Sequence, residues 1–170
     1  MAVPSLTAWT AAAKVTASKL NAIHDAVNFL LDPPRCQIFQ SAGQSFTDGA
    51  ALAVVAFNSE SYDTDSMHNP VTNNSRITFT TAGTYLLSAY IDLPAATYTI
   101  FEVQLRLNGV SSLRTQNFVN PPGGIVRFPF ERAFAAGDYV EMLFRQTSGA
   151  NRTNSFGNNT TGMTARWVAL

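Results

Sequence analysis

Three residues of types that bind metal ions or transfer protons lie close together in one polar segment, "SYDTDSMHNP" (residues 61–70). Asp63 and Asp65 are two residues apart, and His68 follows three residues later. Calcium needs six to eight oxygen ligands, usually around a central glycine, and zinc needs three or four His, Cys or carboxylate ligands. The segment supplies two carboxylates, and the whole chain has only two histidines. We therefore predict no metal site and no cofactor, and we interpret the aspartates as Asx-turn residues that accept hydrogen bonds from loop amides.

The histidines also fail to form a recognisable catalytic pattern. A Ser-His-Asp site needs a base histidine that is held by a carboxylate. His24 directly precedes Asp25 in a helical segment, where neighbouring side chains point apart. The chain has no G-x-S-x-G, phosphate-loop or dinucleotide-binding motif. We predict no catalytic residues and a protein that is not an enzyme. Glycan hydrolysis by a pair of carboxylates stays open, because the eleven acidic residues offer no preferred pair.

Composition limits the partners and the compartment. The 170 residues carry a formal net charge of zero, and only 13% are charged, about half the usual share. Lys and Arg form no cluster, so we expect no nucleic-acid partner. No apolar run approaches the roughly 18 residues that a membrane span needs, and the N-terminus does not resemble a signal peptide. The single cysteine, Cys36, cannot form an internal disulfide, so we expect folding in a reducing cytoplasm.

Near the N-terminus the pattern predicts one helix, from about Ala17 to Leu31, capped by Thr16 or Ser18 and ended by "DPP" at 32–34. Its apolar stripe has the 3-4-3 spacing of a coiled-coil seam and consists of Leu20, Ile23, Val27 and Leu30. One interpretation packs this stripe on the chain's own sheet. The other places it in a short bundle with copies from neighbouring chains. We divide the chain into an N-terminal arm and anchoring helix (1–34) and a head domain (35–170).

From Arg35 onward the apolar residues alternate with period two, which predicts an all-β sandwich of about nine or ten antiparallel strands. The predicted strands are 36–40, 51–57, 76–80, 84–91, 101–109, 112–118, 125–132, 139–146 and 164–170. Pro129 cannot donate a ladder hydrogen bond, so its strand should lie at an edge or be bulged. We interpret the polar stretches 58–75 and 147–163 as long cross-sheet loops.

Three of these strands, 84–91, 139–146 and 164–170, are apolar on both faces. One face can enter the sandwich core, but the other would leave an apolar patch in water, which soluble monomers rarely tolerate. We therefore predict a subunit interface formed by residues of these strands. The candidates are Tyr85, Leu86, Tyr90, Tyr139, Leu143, Trp167, Val168 and Leu170.

Several blocks of the head resemble a known family. "TTAGTYLLSAYI", "VQLRLNG", "FERAFAAGDYVEMLFRQ" and the closing "RWVAL" resemble, in this order, the tumour-necrosis-factor-like fold that is also found in complement globular heads. The resemblance covers roughly residues 35–170. It implies a jelly roll that assembles as a homotrimer about a three-fold axis.

The segment "TAWTAAAKVTASKLNAIHDAVNFLLDPPRC" resembles the N-termini of small virion proteins from tailed phages of actinobacteria. Trp9 is not followed by the glycine that usually stands there. The resemblance implies a structural protein of the virion, assembled in the host cytoplasm and bound to other phage virion proteins. It would be a minor tail protein, short fibre or spike, or alternatively a capsid decoration protein.

A further alternative is a receptor-binding head that recognises host-surface glycan. Loops on a rigid sandwich are common binding sites, and the long loops here mix aromatic side chains with amide and guanidinium groups. The candidate receptor contacts are Tyr62, Met67, His68, Phe118, Asn120, Arg152, Asn154 and Phe156.

Overall fold

The computed structural model describes residues 3–6, 8, 10, 12–118 and 123–170. Helix α1 spans Ala17–Leu31, as the apolar spacing predicts. Thr16 caps its start in an extended conformation, and the Thr16 Oγ1 accepts a hydrogen bond from the Lys19 amide at 3.3 Å. The helix ends before Pro33, because the residue that precedes a proline is disfavoured in the helical conformation.

Within the described residues the head contains twelve strands, of which nine have three or more residues. The strands are β1 (Arg35–Phe39), β2 (Ser45–Phe46), β3 (Ala53–Val54), β4 (Ser59–Asp63), β5 (Arg76–Thr78), β6 (Gly83–Leu93), β7 (Ile100–Leu107), β8 (Ser111–Phe118), β9 (Gly124–Phe134), β10 (Tyr139–Thr147), β11 (Arg152–Thr153) and β12 (Gly162–Ala169).

The two long polar stretches are not entirely loops, which corrects one expectation. β4 lies in the first stretch and pairs antiparallel with β1. β11 lies in the second and pairs with β2. Both strands are mostly polar and therefore lack the alternating apolar pattern that identifies a strand from sequence.

Antiparallel pairing produces two main sheets. The first has the order β4-β1-β12-β6-β9, and we call it the front sheet. The second, the back sheet, has the order β3-β10-β7-β8, with β5 also paired to β10. β9, the strand that contains Pro129, lies at the edge of the front sheet, as the missing amide predicts.

Aromatic side chains fill the space between the sheets. Phe79 stacks on Phe134 with ring centroids 4.0 Å apart, and Phe101 meets Phe144 edge-to-face at 5.1 Å. Such pairs contribute about 0.5–1.5 kcal/mol beyond their buried area. The core therefore holds the two sheets as a rigid sandwich on which outer faces and loops are positioned.

Candidate interaction surface

The apolar stripe of α1 is exposed on the single chain. The exposed fractions are 54% for Leu20, 38% for Ile23, 46% for Val27 and 69% for Leu30. The interpretation that this stripe packs on the chain's own sheet is therefore wrong. The side chain that attaches the helix is Phe29, which is buried against Trp167 with ring centroids 4.9 Å apart. The stripe remains free to contact another molecule.

The outer face of the front sheet carries a second apolar patch. On β6, side chains alternate between the core and the outside, so Leu86 is 46% exposed while Leu87 is buried. On β12, Val168 is 43% exposed, and Leu170 just beyond it is 81% exposed. These three residues are interface candidates whose side chains do lie at the surface of the chain.

The C-terminal end of the helix stripe adjoins the sheet patch. A groove between them is lined by Leu30 from the stripe and Leu86 and Val168 from the sheet, together with Pro33, Arg166 and Trp167. We call this combined surface the helix–sheet face. Large exposed apolar patches of this kind mark interaction sites more often than free surface.

Tyr85 is a wrongly predicted interface residue, because its side chain faces the core. It is fully buried, and its hydroxyl donates a hydrogen bond to the Thr81 carbonyl oxygen at 2.7 Å. Burial raises the pKa of Tyr85 to about 12. Sequence alternation separates Tyr85 from Leu86 but does not say which of two apolar faces turns inward.

Tyr90 points outward but is covered by its own chain. Its hydroxyl donates to the Asn158 carbonyl oxygen at 2.7 Å and accepts a hydrogen bond from Gln37 at 3.1 Å, while the Arg127 guanidinium lies 4.7 Å from the ring centroid. Burial raises the pKa of Tyr90, and the Gln37 hydrogen bond and the Arg127 charge oppose that rise. Tyr90 therefore offers little surface to a partner.

The remaining candidates divide between the two sheets. Trp167 is half-buried on β12 against Phe29. Tyr139 and Leu143 belong to β10 of the back sheet, so they are not contiguous with Leu86 and Val168. Leu143 is only 3% exposed, and Tyr139 lies beneath the Arg76 guanidinium at 4.4 Å. The prediction of one interface that combines all three strands is therefore wrong for β10.

The polar segment that contains Asp63, Asp65 and His68 is a structural connection. Asp63 accepts hydrogen bonds from the amides of Asp65 at 3.2 Å and His68 at 2.9 Å, as the Asx-turn interpretation predicts. Asp65 is buried and accepts from the Thr81 hydroxyl at 2.7 Å. Across the described ranges, no three His, Cys, Asp or Glu side chains converge as a metal site would require.

His68 is anchored inside the chain. Its ring is fully buried, with Nδ1 2.7 Å from the Glu60 carboxylate and Nε2 3.2 Å from the Asn74 carbonyl oxygen. The neighbouring Met67 is also buried in the core. Both residues are therefore wrongly predicted as receptor contacts.

The other receptor-contact candidates differ in exposure. Asn154 is buried, because its amide nitrogen donates to Gln40 and its oxygen accepts from the Gln44 amide, so that prediction is wrong. Phe156 is 57% exposed and Tyr62 is 39% exposed. Arg152 and Phe118 are half-buried, and Asn120 lies outside the described residues.

Phe156 and the C-terminal end of the helix lie near opposite ends of β1. At the start of β1, the Pro34 carbonyl oxygen accepts a hydrogen bond from the Trp167 amide beside α1. Just beyond the other end of β1, the Gln40 carbonyl oxygen accepts from the Gly157 amide. The strand between these contacts is about 16 Å long. The end of the sandwich that follows β1 is therefore the one at which the 154–161 loop exposes Phe156.

Two packing features of this surface were not predicted from the sequence. Phe29 lies off the 3-4-3 stripe and is buried against Trp167, which comes from the far end of the chain. The cover over Tyr90 depends on Gly162, where a Cβ atom would lie 2.6 Å from the Tyr90 hydroxyl. The sequence shows the glycine but does not show that Tyr90 packs against it.

Among the described residues, no helix has the length and apolar content that crossing a membrane would need.

No protein-family model matches the chain, and no curated protein matches it in sequence. Solved structures do match its fold. Murine APRIL at pH 5.0 has a TM-score of 0.61 at 11% identity, covering 79% of this chain and 98% of its own. The globular domain of zebrafish complement 1qA protein has a TM-score of 0.52 at 11% identity, covering 79% and 97%.

These likenesses define the class of the head: it is a jelly roll of the type shared by tumour-necrosis-factor-family and complement globular domains, as the sequence blocks predict. At 11% identity the likeness concerns the fold alone. A shared fold does not define a shared function, which depends on the helix–sheet face and the loops of this chain.

Proposed function

We propose that the chain is a non-enzymatic structural protein of a phage virion, a homotrimeric short fibre, spike or minor tail protein. In this proposal residues 1–34 anchor it to other virion proteins, and the head, residues 35–170, projects outward. One observation carries the proposal: about half of the surface of the stripe Leu20, Ile23, Val27 and Leu30 is exposed on the single chain. The N-terminal sequence resemblance supports the virion role.

A bundle of three helices supplies the partner that this stripe lacks. The 3-4-3 spacing is that of a coiled-coil seam. A helix of 15 residues is marginal alone, so association needs additional contacts. The patch at Leu86 and Val168 continues the stripe onto the head and adds such contacts. The tumour-necrosis-factor-like resemblance, which implies three-fold assembly, agrees with this arrangement.

The position of the protein in the particle tests the proposal. Particles that carry the protein with a small fluorescent or gold-binding tag on its C-terminus would be imaged by cryo-electron microscopy. We expect three-fold density for the head outside the particle, with the helix at the base. Density on the tail distinguishes a tail protein from a capsid decoration protein. Complete absence of the chain from purified particles would contradict the virion role.

A receptor-binding role is the second candidate, and the exposure of Phe156 near the end of β1 opposite the helix favours it. The exposed Phe156 ring can stack on a host-surface sugar, and the half-buried Arg152, which lies in the same polar stretch (147–163), can donate hydrogen bonds to one. In a cell-wall pull-down, Phe156→Ala with Arg152→Ala should abolish binding, whereas Val71→Ala, an 86% exposed residue of another loop, should not. Equal binding by all three proteins, or none by the parent, would contradict this role.

A further inference from the structure

Two opposite charges flank Leu86 on the outer face of the front sheet. Glu131 of β9 stands opposite Leu86 on one side, and Arg166 of β12 stands opposite it on the other. Residues that pair across antiparallel strands share a face, so all three side chains project outward together. Glu131 and Arg166 are both exposed. Neither forms a salt bridge with any residue that the structure describes.

The neighbouring arginines of this face are already engaged within the chain. Arg35 forms a salt bridge with Asp32 at 3.1 Å. Arg127 lies over the Tyr90 ring and donates a hydrogen bond to the Asn159 carbonyl oxygen at 2.8 Å. Glu131, on the edge strand β9, and Arg166, on the more central β12, are therefore an anion and a cation of this face without a salt bridge among the described residues.

This order of charges fits a second copy of the same chain. In a three-fold ring, unlike in a two-fold dimer, each subunit uses two different patches, and one patch meets the other patch of its neighbour. Such a rotation can bring the anion at the sheet edge of one subunit against the cation farther in on its neighbour. The apolar side chains of Leu86 and Val168 lie beside them, and exclusion of water by those groups strengthens a charge pair.

Resting on the proposed trimer, we propose that Glu131 of each subunit forms a salt bridge with Arg166 of the next, three times around the ring. The pair fixes which edge of one head meets which face of its neighbour. The helix stripe has no such asymmetry, because its four members are all aliphatic. The charges therefore set the register of the heads, and the aliphatic stripe adds affinity at the base.

Charge reversal tests the pair in the full chain. Glu131→Arg and Arg166→Glu each place like charges together at every interface, and each should raise the concentration of half-assembly about tenfold or more. The double variant restores opposite charges and should return to within about threefold of the parent. Arg132→Glu is the control, because Arg132 is exposed on the same strand but points to the other face. Sedimentation equilibrium measures all five proteins.

A covalent cross-link gives an independent readout. Glu131→Cys and Arg166→Cys in one chain lie two strands apart, about 9–10 Å, which is too far for a disulfide within the subunit. Under mild oxidation we expect covalent trimers on a non-reducing gel. The native Cys36 is buried and does not compete. Covalent dimers alone would overturn the ring arrangement, and no cross-linked species would overturn the pair.

The outcomes separate this proposal from the proposed function. A parent chain that sediments as a monomer removes the trimer and the salt bridge with it. A trimeric parent whose single reversals assemble normally, or whose double variant fails to recover, removes the salt bridge alone. An Arg132→Glu control that weakens assembly as much as Arg166→Glu would also contradict the specific pair.

Discussion

The combined substitution Leu20→Asp and Ile23→Asp separates assembly from folding. Both side chains belong to the exposed stripe of α1, and neither contributes to the core of the head. We expect the variant to lose trimer formation while the head keeps its native structure. The reason is that the substitutions place two carboxylates where three helices would meet, at positions that the head does not use.

The magnitude follows from the exposure of the stripe. Complete burial of a Leu or Ile side chain contributes about 1.5–3 kcal/mol. Because roughly half of each side chain is already covered in the single chain, about 1 kcal/mol remains for assembly. Two residues in each of three chains then contribute about 6 kcal/mol, or about four orders of magnitude in the association constant. For a trimer this corresponds to about a hundredfold higher concentration of half-assembly.

Two measurements are needed, since assembly and folding must be read separately. Sedimentation equilibrium over a range of concentrations gives the oligomeric state. Near-ultraviolet circular dichroism reports the packing of core aromatic residues and hence the native state of the head. The matched control is Val71→Asp with Val110→Asp, which changes two turn residues that are 86% and 85% exposed and lie outside the stripe.

Two results would refute this reasoning. A Leu20→Asp, Ile23→Asp variant that forms trimers at the parent's concentrations would show that the stripe is not the contact. Loss of the near-ultraviolet signal would show that the helix is needed for the core of the head. The control should resemble the parent in both measurements, because surface substitutions usually change stability by less than about 0.5 kcal/mol.

The remaining predictions concern the stability of the head. Gly162→Ala should lower the free energy of unfolding in urea by about 1–3 kcal/mol, because the new Cβ would clash with the Ile38 carbonyl oxygen and displace Tyr90; an unchanged midpoint would contradict this. EDTA should leave the melting temperature of the parent unchanged, since both Asp63 oxygens accept loop amides; a lower melting temperature in EDTA would indicate a bound cation. Stability should fall as pH rises from about 10 to 12, because folded Tyr85 keeps its proton while the unfolded residue loses it, and Tyr85→Phe should reduce that slope.

Local signals in the sequence were enough to predict the helix and most of the sandwich. The cap at Thr16, the 3-4-3 spacing and the following prolines are all encoded within about 20 residues. Alternation identified the long strands because one face of each packs toward the core, fully buried in most and partly buried in β8. Strands such as β4 and β11 were missed because they are polar or very short, and only the partner strand stabilises them.

The surface was harder to predict than the fold, for a physical reason. On β6 both faces are apolar, so the pattern cannot decide whether Tyr85 or Leu86 enters the core. The sequence suggests that His68 and Asn154 are exposed loop residues, yet both side chains are buried. Their burial is tolerated because other parts of the chain satisfy their hydrogen bonds, Glu60 for His68 and Gln40 for Asn154. Those partners come together only in the folded chain. The helix stripe was read correctly as apolar, but its exposure needed the structure.

The mass of the full chain in solution tests the central claim most directly. Native mass spectrometry at micromolar concentration should give three times the 18.4 kDa mass of one chain. The helix–sheet face would then be covered by neighbouring copies. A single-chain mass under the same conditions would contradict the trimer, and with it the fibre or spike that we propose.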